Sequence, residues 1–366
     1  MCYQCAAELM FIHMKLLANL SVASLLATCH GFAEVKLIRE YLLKPPRDRR
    51  IIFAMTVTPE QDVLSLVAND DGTWRLSRVR RWLDKQPLED SLTIPGLVQG
   101  GHEGWSQWHI WSSELFATPD GKFAVCIVSA YPNERLARNR EDLVSVVSLA
   151  QFKIVTSVHT SALKQVSGNH RTYRLDRRGY LVVNASTSFP RHPGDDPFFG
   201  GASHKFAILT LPALDVTDGC EYVEWLRSGS VVRREKEDDC ATLLQNSGTN
   251  SLDEFSKTLL QTAGVAQAND KGRPPECAFL TYASVTSRDG RFRWERCTGG
   301  HRGFFGNFVV SKAVENIFLV ETGQKLGTIK VPSDHPLQSR FATLDGMDYL
   351  LVMEGGTRLT VYQIAS

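Results

Sequence analysis

One segment returns along nearly the whole chain in weakened copies, and this return constrains the fold more than any other feature. Its clearest form, Leu115-Phe-Ala-Thr-Pro-Asp-Gly-Lys-Phe-Ala-Val-Cys-Ile-Val128, reads as a strand, a tight Asp-Gly turn and a second strand. Aligned on the turn, the copies run from Met55 to Val67, Thr172 to Ala185, Ala283 to Cys297 and Arg340 to Met353, and the Phe-Ala-Thr of 116–118 recurs at 341–343. The turn positions Gln61, Gly121, Gly179, Gly290 and Gly346 stand 60, 58, 111 and 56 residues apart. A period of about 57 residues with one double step predicts a further copy close to residue 235. There Val231–Arg234, Glu235–Asp239 and Cys240–Leu244 read as a degenerate strand, turn and strand. The expectation is six repeats of a four-stranded unit.

Alternating apolar and polar residues mark the other strands. Asp62–Ala68 and Thr73–Trp82 flank Asn69-Asp-Asp-Gly72, a short-range hairpin signal, and Leu88–Ile94 follows as an outer strand. The second copy predicts strands at His109–Ala117, Lys122–Ala130, Leu143–Leu149 and Lys153–Val158, interrupted by the charged insertion Asn133–Asp142. The third carries an insertion at the same step, Phe189–Ser203, so both are expected on one face of the molecule. In the fourth, the capping-box pattern Ser251-Leu-Asp-Glu254, followed by Phe255, Leu259 and Leu260 at helical spacing, predicts an inserted helix near 251–263. The last copy offers only Ser339–Thr343, Tyr349–Glu354 and Leu359–Ile364, while the N-terminal end of the repeat region has a strand to spare, residues 34–42. That strand is expected to complete the last unit.

The turns Thr118-Pro-Asp-Gly121 and Ser287-Arg-Asp-Gly290, each followed by an apolar strand, resemble those of the bacterial β-propeller repeat family, similar to WD40 and YVTN repeats. The resemblance spans about residues 34–366 and concerns the fold alone, since the Trp-Asp dipeptide of true WD40 repeats is missing at the matching positions. It implies an all-β fold, a β-propeller of six four-stranded blades in a single domain, with the ring closed by the N-terminal strand. A pair of β-sandwiches is the alternative, and a single period argues against it.

The 366 residues are 43% hydrophobic and 22% charged, enough to bury a large core. With 41 basic and 40 acidic residues there is no charge excess to draw the chain to nucleic acid, and none is expected as a partner. Arg78, Arg80 and Arg81 read as a solvated strand face. Near the N-terminus, Lys15, the apolar run Leu16–Thr28 and the small residues around Phe32 (Gly31, Ala33) have the layout of a secretory signal peptide over 1–33, with translation starting at Met14. The run is short of the roughly 20 residues a membrane-spanning helix needs, and no transmembrane segment is expected in the mature chain. The expected location is periplasmic or secreted. A second reading makes Cys29 a lipid anchor, as in a bacterial lipoprotein. Export suits the cysteines: Cys126 reads as a buried thiol, and Cys220, Cys240, Cys277 and Cys297 form an even set able to make two disulfides in any of three connectivities. Zinc would need a Cys-x2-Cys pair, a spacing that none of these four cysteines shows.

The segment Gly100–Trp111 is the richest in chemistry. Trp105, Trp108 and Trp111 are suited to stack on a sugar ring or grip a peptide, and His102, Glu103 and His109 supply polar contacts. The competing reading packs the tryptophans between neighbouring repeats and makes the histidines structural. His192–Gly201 and Gly299–Asn307 each set paired phenylalanines among glycines, a composition suited to partner recognition, while Asp195 and Asp196 lack the spacing of an EF-hand loop. There is no Gly-x-Ser-x-Gly elbow, Walker loop or His-Glu-x-x-His, so no cofactor is expected and no metal-ligand set is legible. Two function classes follow: an exported scaffold that recognises a protein or glycan on one face of the ring, or a hydrolase similar to the metal-dependent lactonases, with carboxylates converging on the central mouth.

Overall fold

The computed structural model describes residues 34–42, 53–69, 72–97, 109–131, 141–163, 170–190, 200–227, 230–255, 282–287, 289–302, 308–319, 323, 325–330, 337–354 and 358–365. Most of them lie in antiparallel strands grouped in five sheets. Sheet 1 is β2 (Phe53–Val57), β3 (Val63–Ala68), β4 (Trp74–Arg80) and β5 (Leu88–Ile94). Sheet 2 is β6 (His109–Ala117), β7 (Phe123–Tyr131), β8 (Glu141–Ser148) and β9 (Lys153–His159). Sheet 3 has five strands, β10 (His170–Leu175), β11 (Leu181–Pro190), β12 (Gly200–Leu209), β13 (Val216–Arg227) and β14 (Ser230–Glu235). Sheet 4 is β15 (Tyr282–Thr286), β16 (Phe292–Arg302), β17 (Phe308–Leu319) and β18 (Lys325–Lys330). Sheet 5 joins β19 (Leu337–Leu344), β20 (Met347–Glu354) and β21 (Arg358–Ala365) to β1 (Glu34–Leu42) from the other end of the repeat region. β1 pairs with β21 from Glu34 opposite Ala365 to Leu42 opposite Arg358. The spare N-terminal strand does complete the last sheet.

The sheets stack face to face, which explains where the sequence alternates and where it does not. On β7, Ala124, Cys126 and Val128 pack towards sheet 1 among Leu64, Leu66 and Leu76. The intervening Val125 and Ile127 pack towards sheet 3 against Leu181 and Leu209. A strand covered on both sides needs apolar residues at consecutive positions, hence the run Ala-Val-Cys-Ile-Val. The outer strand β9 instead alternates exposed with half-buried residues along its length. Sheet 1 meets sheet 5 through Met55, Val79, Tyr349 and Leu351, and sheet 5 meets sheet 4 through Leu350, Val352, Phe292 and Trp294. The order in space is therefore sheet 3, 2, 1, 5, 4.

All five aligned turn positions have left-handed backbone: Gln61 at φ 68°, Gly121 at 69°, Gly179 at 88°, Gly290 at 78° and Gly346 at 75°. The alignment of the repeats is thus a property of the backbone as well as of the sequence. Only the last is a two-residue hairpin, with Asp345 also left-handed at φ 52°. The others are wider and are held by the first turn residue. Thr118 Oγ1 accepts from the Phe123 amide at 3.0 Å and Ser287 Oγ from Phe292 at 2.9 Å, while Asp176 Oδ1 accepts from Tyr180 at 2.9 Å.

The copy expected near residue 235 does not form. Ser230–Glu235 adds to sheet 3 as its fifth strand, and Cys240–Leu244, read as a strand, is helical: a 3-10 turn at Glu237–Cys240 runs into helix α1, Ala241–Ser247. The capping box beyond it is real in part. Ser251 Oγ accepts from the Glu254 amide at 3.2 Å, and residues 252–255 are helical, the rest of the predicted helix lying outside the described residues. Two expected loops shrink: β11 and β12 extend to 190 and from 200, and β16 runs through Gly299 to Arg302.

Candidate functional site

Every sheet begins with a strand that runs towards its aligned turn, and these turns touch. A Cβ built on Gly121 would lie 1.9 Å from Glu60 Oε1, and one on Gly179 would lie 3.8 Å from Pro119 Cδ. The Thr343 amide donates to Gln61 Oε1 at 3.1 Å, and Trp82 Nε1 donates to the Gln61 carbonyl at 2.6 Å. Arg291 Nη2 reaches from the sheet 4 turn to Asp348 Oδ2 of sheet 5 at 2.7 Å. Arg78 is no solvated residue: it pairs with Asp90 at 2.7 Å, donates to the Leu149 carbonyl of sheet 2 at 2.6 Å and covers the Phe152 ring. Arg80 shares Asp90 and Arg81 pairs with Asp84, so two carboxylates offset two of the three positive charges in this run. One end of the stack is thus closed by short turns lying close to one another, hydrogen-bonded where sheet 5 meets sheets 1 and 4.

The opposite end is built differently. Antiparallel order within each sheet sends the connections 132–140, 191–199 and 303–307 to that end, together with the links between sheets at 95–108, 160–169 and 331–336. Of the residues singled out from the sequence, His102, Glu103, Trp105 and Trp108 lie outside the described residues, as do Cys277, Asp195 and Asp196. His109 and Trp111 belong to the start of β6, at the end of the long connections, with His109 opposite Tyr131. The pairing jumps from Ile110 opposite Ala130 to Ser112 opposite Ser129, so Trp111 is the extra residue of a β-bulge.

Two arrangements had no signal in the repeat. Where sheets 1 and 5 meet at the closed end, a cleft of about 250 Å³ is lined by Glu60, Asp62, Arg80, Trp82, Leu88 and Leu344, among others. Burial raises the Asp62 carboxyl above its ordinary range, against the pull of Arg78 and Arg80. The second is a polar cluster between sheets 2 and 3. Asp142, with no exposed surface, accepts from Tyr173 Oη at 2.5 Å, lies 3.4 Å from Arg171 Nη1, and donates its amide to Thr160 Oγ1 at 3.1 Å. Its residues sit far apart in sequence, and only the packing of the sheets brings them together.

Among the four paired-cysteine candidates, Cys220 and Cys240 form a disulfide. Cys297 lies on β16, and its side chain is outside what is described. Cys126 is a buried free thiol, pushed up to about 12 by burial. Among the described residues, no group of three or more His, Cys, Asp or Glu side chains is placed to hold a metal ion, and no helix is long and apolar enough to cross a membrane.

No family model matches the chain, and no curated protein matches it. Among solved structures, a functionally unknown protein from Desulfotomaculum acetoxidans is 9% identical, with a TM-score of 0.34 over 83% of this chain and 97% of its own. The β-propeller domain of Cps50 (Swd1) from Myceliophteria thermophila is 10% identical, with a TM-score of 0.23 over 82% of this chain and 67% of its own. Neither score supports an argument about this chain, whose architecture stands on its own sheets and turns.

Proposed function

We propose that the chain is an exported β-propeller that holds a protein or glycan at the end of the ring where the long connections gather. The five sheets would be blades, with residues 236–281 occupying the position between sheets 3 and 4 and β1 closing the ring. The asymmetry of the two ends carries this reading. Turns packed close together make one end a base, and longer connections gather at the other, where scaffolds of this kind carry recognition. The bulge at Trp111 falls at that end, and the tryptophans ahead of it would lie beside it. The ligand-contacting residues would be His102, Glu103, Trp105, Trp108, His109 and Trp111. Residues 1–33 would direct export, with the mature chain starting at Glu34.

The test is a panel of glycans and peptides screened with and without divalent metal. Metal-independent binding that Trp105→Ala or Trp108→Ala weakens at least tenfold is expected, since a buried aromatic anchor commonly contributes about 2 kcal/mol or more. Metal-dependent turnover of a lactone or ester would replace this reading with the hydrolase. Binding unaffected by either substitution would place the site elsewhere.

A further inference from the structure

Sheet 3 is covered on one face by sheet 2. Its other face presents Val182, Phe206, Ile208 and Tyr222, and no sheet lies on these residues among the described ones. The chain that follows β14 folds back over them instead, setting Leu243, Leu252 and Phe255 against the sheet, with the Phe255 ring edge-on to Phe206 at 5.5 Å. This cover is one short 3-10 turn, the seven-residue α1 and the start of the next helix. A helix of that length is far below what is stable alone in water. Its polar ties are solvent-exposed: Asn246 Nδ2 donates to Asp218 Oδ2 at 2.8 Å, Arg178 Nη1 to the Asn246 carbonyl at 2.9 Å, and Arg234 Nη2 to Asp253 Oδ1 at 2.8 Å. Such contacts add little stability each. Among the described residues, the covalent tie is the Cys220–Cys240 disulfide, from mid-β13 to the residue before α1.

We propose that this disulfide is a redox-sensitive latch, whose reduction by a dithiol releases the segment 237–255 and uncovers the apolar face of sheet 3 while the remaining sheets stay folded. The two sulfurs differ in access. Cys240 is fully buried and Cys220 half-buried, so the incoming thiolate attacks Cys220 Sγ. The S–S bond breaks, a mixed disulfide forms at Cys220, and Cys240 leaves as a thiolate that takes up a proton. The second thiol of the reductant then displaces Cys220 as it becomes a cyclic disulfide, and the protein holds two thiols. Cys126 takes no part, because its burial keeps it in the unreactive thiol form. Loop-closure entropy, which the intact bond removes from the open state, returns on reduction and favours opening.

The experiment is amide hydrogen exchange followed by mass spectrometry on the full mature chain, before and after dithiothreitol under native conditions, with thiol counting to verify cleavage. Exchange across 237–255 is expected to rise at least tenfold, with new binding of an apolar dye, while β7 and β8 keep their protection. Reoxidation should reverse both changes. The Cys220→Ser/Cys240→Ser double variant should match the reduced protein, and if it does not fold, in situ reduction still decides. Unchanged exchange in 237–255 after verified cleavage would overturn the latch. So would equal loss of protection in β7 and β8, or a bond that resists the reductant in the folded protein.

Discussion

Replacing the turn glycines one at a time by alanine tests the repeat and the stacking of the sheets together. At Gly179, Gly290 and Gly346 the backbone is left-handed, and an added Cβ would meet no atom closer than 3.8 Å. The cost there is conformational alone, about 1–2 kcal/mol per site for an L-residue. Gly121 has the same backbone, but its Cβ would fall 1.9 Å from the Glu60 carboxylate in the turn of the neighbouring sheet. Since that carboxylate is the far end of a flexible side chain, it can swing aside, at about 0.5–1.5 kcal/mol for a strained rotamer. Gly121→Ala should therefore exceed the other three by roughly that increment, and Glu60→Ala should remove the excess while leaving the conformational part. Urea unfolding of the four single variants and the Glu60→Ala/Gly121→Ala pair, compared at constant m, measures this. A Gly121→Ala cost within about 0.3 kcal/mol of the others and indifferent to Glu60 would mean the two turns do not touch. Negligible costs at 179, 290 and 346 would refute the left-handed turns themselves.

Two further outcomes concern buried charge. Asp142→Ala should cost more than Tyr173→Phe, because it removes both the carboxylate beside a buried guanidinium and the acceptor of the Tyr173 hydroxyl, whereas Tyr173→Phe removes one hydrogen bond at about 1–2 kcal/mol; chemical denaturation that ranks them the other way would refute the cluster as described. At Asp62 the folded carboxyl lies above its unfolded value, so it weakens the fold as pH rises from the ordinary carboxylate range through the raised one. Asp62→Asn should accordingly be more stable than the parent near about pH 7 and equal to it near about pH 3, and unfolding curves showing no gain at the higher pH would contradict that sign.

The strands were the most legible part because their burial leaves a pattern. Ala124–Val128 announces a strand covered on both faces, and Lys153–His159 one covered on a single face. The turns were legible because only glycine adopts φ near 70–90° at no steric cost, and four of the five aligned positions are glycine, Gln61 at φ 68° being the exception. The spare strand at 34–42 was placed by counting, since a sheet lacking its fourth strand at one end and a strand lacking a sheet at the other complete each other. The links between sheets were not legible. Arg78 reads as a surface residue because its own strand alternates, and nothing local shows that sheet 2 brings the Leu149 carbonyl within 2.6 Å of it. Likewise Asp142 looks like the end of a charged insertion, and Tyr173, 31 residues on, is what makes it interior.

The double step between Gly179 and Gly290 is where reading by period alone fails, and the reason is physical. A sheet stacked between two others needs central strands with apolar residues on both faces, as in Ala124–Val128 and Val144–Val147. The chain from Val231 to Leu244 has Val231 and Val232 followed by two arginines, the charged run Glu235–Asp239, and then Ala-Thr-Leu-Leu at helical spacing. Such a segment cannot be a doubly covered strand without burying unpaired charge, which costs several kcal/mol per ion. It can be an edge strand, where Arg234 reaches Glu224, and then a helix with one apolar side, where Leu243 meets sheet 3. Among the described residues, that face of sheet 3 is covered by this short helix and the turn beyond it, tied to β13 by the disulfide. The departure from the period and the Cys220–Cys240 bond therefore fall on the same segment, one too polar to be a doubly covered strand and fastened covalently to the sheet it covers.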